Sequence, residues 1–226
     1  MKHEIHEKPD YAIVRIEFEQ AGEQVLVEPS AMVAMDTALA MKTGVPGGML
    51  RAAKRKLFGG ESFFRNTFTA TEAGQTLWVA PGPEGDVEVV QCVEGTPIFL
   101  SSGAFLASAP SVALDTKWSG AKGFFGGPGL FLLRAIGEGP LFFGCYGGIH
   151  PIDVGPHGYV VDTSHVVAFA GGLDFRVTKV GGVKSLFFSG EGLVCEFRGE
   201  GRLWLSTRNP AGLASFLDPF RPVERG

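Results

Sequence analysis

The chain has 226 residues, 45% of them apolar and 19% charged, and carries a net charge of −4. That apolar share supports a large core and argues against a disordered chain, while the acidic balance argues against a general nucleic-acid binder, because phosphate neutralisation needs a dominant basic face. Three cysteines, Cys92, Cys145 and Cys195, stand at least 50 residues apart with no Cys-x-x-Cys pair; they read as buried free thiols in a reducing compartment rather than as a metal or redox site.

The first ten residues are polar, with no secretory signal, and His3 and His6 lie in what reads as a frayable terminus. The longest apolar run, Ala31 to Leu50, is broken by Asp36, Lys42 and Pro46, short of the ~20 apolar residues a spanning helix needs. The expected location is therefore cytoplasmic.

Val14, Ile16 and Phe18 then alternate with Arg15, Glu17 and Glu19, the period of a strand with one wet face. From Val25 a pattern opens that returns twice. Val25-Leu26-Val27-Glu28-Pro29-Ser30-Ala31 is matched by Ile98-Phe99-Leu100-Ser101-Ser102-Gly103-Ala104 and by Tyr159-Val160-Val161-Asp162-Thr163-Ser164-His165. Each is an apolar triplet, a small polar turn and the start of another strand. A further strand follows, clearest in Leu173 to Thr178 and looser in Val112 to Lys117. Next comes a small-residue turn: Phe58-Gly59-Gly60-Glu61, Phe125-Gly126-Gly127-Pro128 and Phe188-Ser189-Gly190-Glu191-Gly192. These glycines are read as structural repeat turns. Strands at Phe63 to Thr69, Leu130 to Ala135 and Leu193 to Arg198 follow, and each unit ends on an apolar strand, Leu77 to Val79, Leu141 to Phe143 and Leu203 to Leu205.

The expected fold is all-β: three tandem antiparallel β-sandwich-like units with pseudo-threefold character, spanning residues 11–90, 91–154 and 155–210, with a tail at 211–226. One short helix is expected near residues 47–57, where Met49, Leu50, Ala53 and Leu57 form an apolar stripe. The tail, with Pro210, Pro219 and Pro222, reads as irregular and anchored by Phe216 and Phe220.

No catalytic, cofactor-binding or metal-binding residue is assigned. His150, Asp153, His157 and His165 lie within 16 residues, but their spacing fits no helical or hairpin ligand pair. Ser164-His165 would point to opposite faces of a strand, and no Gly-x-Ser-x-Gly elbow occurs. The glycine turns lead into no Gly-Lys-Ser/Thr phosphate loop. The one stretch with a recognition pattern is Arg51, Lys54, Arg55 and Lys56 beside Met49, Leu50, Leu57 and Phe58, which fits either a solvated face or contact with an anionic surface.

The threefold pattern, the stretch from Lys54 to Phe64 and the Ser189-Gly190-Glu191-Gly192-Leu193-Val194 segment resemble the altered-inheritance-of-mitochondria / mitochondrial-biogenesis family, whose bacterial members are mostly of unknown function. The resemblance implies a fold like that of the tryptophan RNA-binding attenuation protein, with three β units in one chain and three chains closing a ring. It implies no transferable ligand or RNA site. The expected function is a non-enzymatic homo-oligomeric scaffold, a homotrimer, touching a membrane surface or a protein partner through Arg51 to Lys56. The alternatives are a small-ligand or RNA-binding ring and, more weakly, a metal-dependent enzyme.

Overall fold

The computed structural model describes residues 1–44, 65–115, 132–179 and 193–221. Within them the chain is all-β, as its period-two segments require. After β1 (Lys2–His6) the first set of strands is β2 (Ile13–Glu17), β3 (Gln24–Val27), β4 (Met32–Met35), β5 (Ala40–Gly44), β6 (Arg65–Thr69) and β7 (Thr76–Val79). The second set is β8 (Val87–Cys92), β9 (Ile98–Ser101), β10 (Phe105–Ser108), β11 (Ala113–Asp115), β12 (Leu132–Ile136) and β13 (Gly139–Gly144). The third is β14 (Ile149–Val154), β15 (Tyr159–Asp162), β16 (Val166–Ala170), β17 (Asp174–Lys179), β18 (Leu193–Arg198) and β19 (Gly201–Ser206).

Pairing recurs with the same register in each set. Met32 faces Val79 and Ala34 faces Trp78; Phe105 faces Phe143 and Ala107 faces Phe142; Val166 faces Leu205 and Ala168 faces Trp204. The same one-residue shift lies inside each pair, so the bulge is part of the recurring unit.

Strands from two successive sets share each complete sheet. The orders are β1-β2-β7-β4, β5-β6-β3-β10-β13-β8, β11-β12-β9-β16-β19-β14 and β15-β18-β17. Each inner sheet therefore joins three strands of one set to three of the next, through β3–β10 and β9–β16. Both faces of an inner sheet are covered. Phe142 packs into the first core, with Val14, Ile16, Leu77 and Phe68, whereas Leu141 and Phe143 enter the second. Leu100 enters the second core, and its neighbour Phe99 enters the third with Phe169 and Phe197. Alternate side chains point to opposite faces, so two-sided burial demands unbroken apolar triplets such as Ile98-Phe99-Leu100. The outer strand β2 faces a core on one side only and shows clean alternation.

Three sequence expectations need correction or qualification. The N-terminus is not frayed: β1 pairs with β2 over its whole length, and the Met1 ammonium bonds Glu19 and Glu23 at 2.7 and 3.0 Å. The described part of the tail, as far as residue 221, is not irregular. It forms helix α1 (Pro210–Leu217) and one 3-10 turn, with Asn209 as N-cap and Pro210 in the first helical turn, a start signal of the usual kind. Phe216 and Phe220 are not buried anchors: they contact each other and are exposed. The helix expected near residues 47–57 lies outside the described residues, as do Gly59, Gly60, Gly126, Gly127, Gly190 and Gly192. Among the described residues no helix is long and apolar enough to cross a membrane.

Candidate functional site

Among the described residues two features stand apart from the packed cores: the sheet-end strands β4 and β15, whose counterparts within the chain are paired, and a cavity walled by all three sets.

The edges arise because the first sheet lacks a preceding set of strands and the last sheet lacks a following one. β4 ends the first sheet and β15 ends the last. Their counterparts inside the chain are paired and buried. Met32 and Val33 are 37% and 56% exposed, against 1% and 1% for Phe105 and Leu106. Tyr159 and Val160 are 44% and 60% exposed, against 7% and 7% for Ile98 and Phe99.

The cavity encloses about 550 Å³. Each of the three sets supplies the same two pieces to its wall. One is the turn between its second and third strands: Glu28 to Ala31, Ser101 with Gly103 to Leu106, and Thr163, Ser164, Val166 and Val167. The other is the segment after its last strand: Pro81 to Pro83, Gly144 to Tyr146, and Ser206 with Arg208 to Ala211. Two of these segments touch each other beside the cavity, and a Cβ on Gly85 would lie 1.9 Å from the Cys145 carbonyl oxygen. Only glycine permits that approach. Asp86 beside it is buried and accepts from the amides of Val87 and Ile149, with the Lys8 ammonium 3.5 Å away. This carboxylate ties the starts of β8 and β14 to the N-terminal arm.

The three positions that close the second strand of each set differ in how their side chains are used. The Ser101 hydroxyl donates to the Val166 carbonyl. The Asp162 carboxylate accepts from the Ser164 amide and hydroxyl. Glu28, at the equivalent place, uses its amide to bond the Leu106 carbonyl at 2.9 Å, and none of the hydrogen bonds or ion pairs among the described residues involves its carboxyl group. Burial alone pushes the Glu28 carboxyl up to about 7. Desolvation penalises the charged form, so the unfolded chain releases this proton first, from its ordinary value of 4.5. Stability is therefore lost as pH rises from that value through about 7. Replacing Glu28 by glutamine is expected to leave stability unchanged near pH 4 and to raise it at pH 8 by on the order of 1 kcal/mol, counting screening at the wet end of the side chain. Thermal melts of both proteins across that range provide the check.

The remaining candidate groups are committed elsewhere. His165 lies in a 3-10 turn, not in a strand. Its Nδ1–H donates to the Ser206 carbonyl at 2.7 Å, which leaves Nε2 to accept from the Asn209 amide at 3.0 Å. Asn209 Oδ1 in turn accepts from the Gly212 amide and caps α1. Asp153 is held by Arg202 at 2.8 Å, and this guanidinium keeps its carboxyl below the usual range. Among the described residues no three His, Cys, Asp or Glu groups gather as metal ligands. Cys92, Cys145 and Cys195 are all unpaired. Burial pushes their thiols up to about 11, 12 and 12, with the Asp86 charge adding to the effect at Cys145, so they are poor nucleophiles. Arg51, Lys54, Arg55 and Lys56 lie outside the described residues.

The Asn209 cap yields a local prediction. None of α1 is buried, so Asn209→Ala should cost the helix about 1 kcal/mol, together with the bond to His165 Nε2, and leave the packed cores in place. Amide exchange over residues 211–217 is expected to quicken roughly fivefold, with a far smaller effect on the melting temperature.

Sequence reasoning did not single out Glu28 or the cavity. The signal available was the substitution pattern across the three turns, where an acid of a different length stands at one of three equivalent positions.

The family model described as "Mitochondrial biogenesis AIM24" matches residues 3–208. An uncharacterised protein of Streptococcus pyogenes serotype M6 is 28% identical over 230 residues, covering 99% of this chain and 92% of that one. The X-ray crystal structure of a second Streptococcus pyogenes protein, a structural-genomics target, superposes with a TM-score of 0.78 at 25% identity, covering 97% of this chain and 99% of the other. A match running through all three sets of strands shows that the chain belongs to the AIM24 mitochondrial biogenesis family.

Proposed function

We propose that the chain is a non-enzymatic building block of a homo-oligomeric scaffold, joined head to tail by pairing of β15 in one copy with β4 in the next. The observation that carries this reading is the exposure of apolar residues on these two strands, where the internal counterparts are paired and Ile98, Phe99, Phe105 and Leu106 are buried. An unpaired edge of this kind is a template for another strand. The internal junctions supply the register. Val27 faces Ala107 and Leu100 faces Ala168, so Val161 should face Ala34 of the next copy, with Val160 facing Met35. The two end sheets then form one continuous sheet in which β2-β7-β4 and β15-β18-β17 repeat the six-stranded order seen twice inside the chain, with β1 added at its rim.

A head-to-tail contact either closes a ring or runs on as a filament. The closed form proposed is a homotrimer, the number implied by the resemblance to the attenuation-protein ring. A cytoplasmic, reducing setting fits the three unpaired thiols. The surface offered to a further protein or membrane partner includes the exposed apolar side chains Leu213, Phe216, Leu217 and Phe220, a patch of the sort that marks contact sites. Light scattering on the purified chain tests the assembly: a mass of three 24.0 kDa chains is expected, and a monomer at micromolar concentration overturns the reading.

A further inference from the structure

We propose that the cavity shared by the three inter-strand turns is a binding site for a small organic ammonium ion with an apolar body, its nitrogen held by the Glu28 carboxylate. The volume of about 550 Å³ lies within the range of small-molecule sites. The wall is mostly apolar, with Ala31, Phe105, Leu106, Val166 and Val167 in it, and such a wall selects an apolar body. The polar feature that remains uncommitted is the acid. Ser101 and Asp162, its counterparts, spend their side chains on local bonds, and among the described residues the Glu28 carboxyl makes no hydrogen bond or ion pair.

A half-buried carboxylate without a counter-charge is costly, and an ammonium ion brought by a ligand removes that cost. The other titratable groups of the wall are Cys145, Tyr146 and Arg208. Cys145 stays protonated, its thiol donating toward the Gly147 carbonyl. Arg208 is exposed and donates to the Thr207 carbonyl, and it makes no ion pair with Glu28. Binding an ammonium ion draws the Glu28 proton off, which couples affinity to pH.

The experiment is calorimetric titration of the full chain with three probes of equal tail length: hexylammonium, hexanoate and hexanol. Hexylammonium is expected to bind, roughly tenfold more tightly at pH 8 than at pH 6, as one-proton linkage around a carboxyl at about 7 requires. Hexanoate and hexanol are expected to bind at least tenfold more weakly. Glu28→Gln is expected to abolish the preference for hexylammonium and its pH dependence, while melting no lower than the native chain at pH 8. Absence of heat with all three probes, equal affinity for hexanol or hexanoate, or a Glu28→Gln chain that keeps the preference would each overturn the proposal. Repeating the titration on a Val160→Pro chain, which breaks the proposed edge pairing, is expected to leave the affinity unchanged, so the amine site and the assembly stand or fall separately.

Discussion

A chain with proline in place of Val160 is expected to elute as a 24.0 kDa monomer under conditions where the native chain elutes as an oligomer. The prediction follows from the direction of each amide. At the internal junction the Glu28 amide bonds the Leu106 carbonyl, while Val27 and Ala107 face each other. In an antiparallel ladder hydrogen-bonded and non-bonded pairs alternate, so Leu26 and Glu28 direct their amides toward β10. Val160 and Asp162 occupy the same places in β15 and direct theirs outward. Proline at 160 removes a donor the neighbouring copy would need, and its ring fills the gap between strands. Pairing to β18 on the other side rests on Tyr159 and Val161 and survives. Proline is tolerated at such an edge in a single chain. Across a junction it costs ~3 kcal/mol or more, about a hundredfold in association. Val160→Thr keeps the amide and the β-branched shape and is expected to keep the oligomer. A Val160→Pro chain of native mass in light scattering would show that this edge joins nothing.

Replacing Phe169 by alanine should have the largest effect on stability. Phe169 is fully buried and stacks on Phe99 at 5.0 Å between ring centroids, with Phe175 and Phe197 at 5.0 and 5.1 Å. These rings come from the third sheet and from the three-stranded last sheet, so the cluster fastens the last sheet to the rest. Deleting the ring forfeits its transfer energy and leaves a cavity that neighbouring strands cannot close, a loss of about 3–5 kcal/mol. For a chain of this length a fall of roughly 10 °C in melting temperature is expected. The last sheet carries the open edge of β15, so the oligomer should weaken together with the fold. Phe169→Leu, which fills most of the space, should recover both in part. A Phe169→Ala chain melting within a degree or two of the native one would mean that this cluster contributes little.

Both predictions depend on which strands meet, and there the sequence was informative up to a definite point. Period-two alternation in Ile13 to Glu19 and Leu193 to Arg198 identified strands, because an element with one wet face must alternate. The threefold echo in Val25 to Val27, Ile98 to Leu100 and Tyr159 to Val161 identified a recurring unit, because equal environments select similar residues. The Asn209-Pro210 start of α1 was also present and went unread beneath the prolines that made the tail look irregular.

Pairing partners were another matter. β3 finds β10 and β9 finds β16 across more than seventy and more than sixty residues, and no local property of a strand names its partner. The grouping of half a set with half of the next, which leaves β4 and β15 at the ends of their sheets, came only from the tertiary structure. So did the cavity, since its wall is assembled from six segments that lie side by side only once the sheets have formed. The sequence by itself determined strands, turns and their threefold recurrence, all of which rest on interactions within a few residues. Only the folded chain decided that β4 and β15 are left without a neighbour among the described residues and that Glu28, alone among three equivalent positions, lines the cavity with its side chain unbonded: burial and pairing are set by groups far away along the chain.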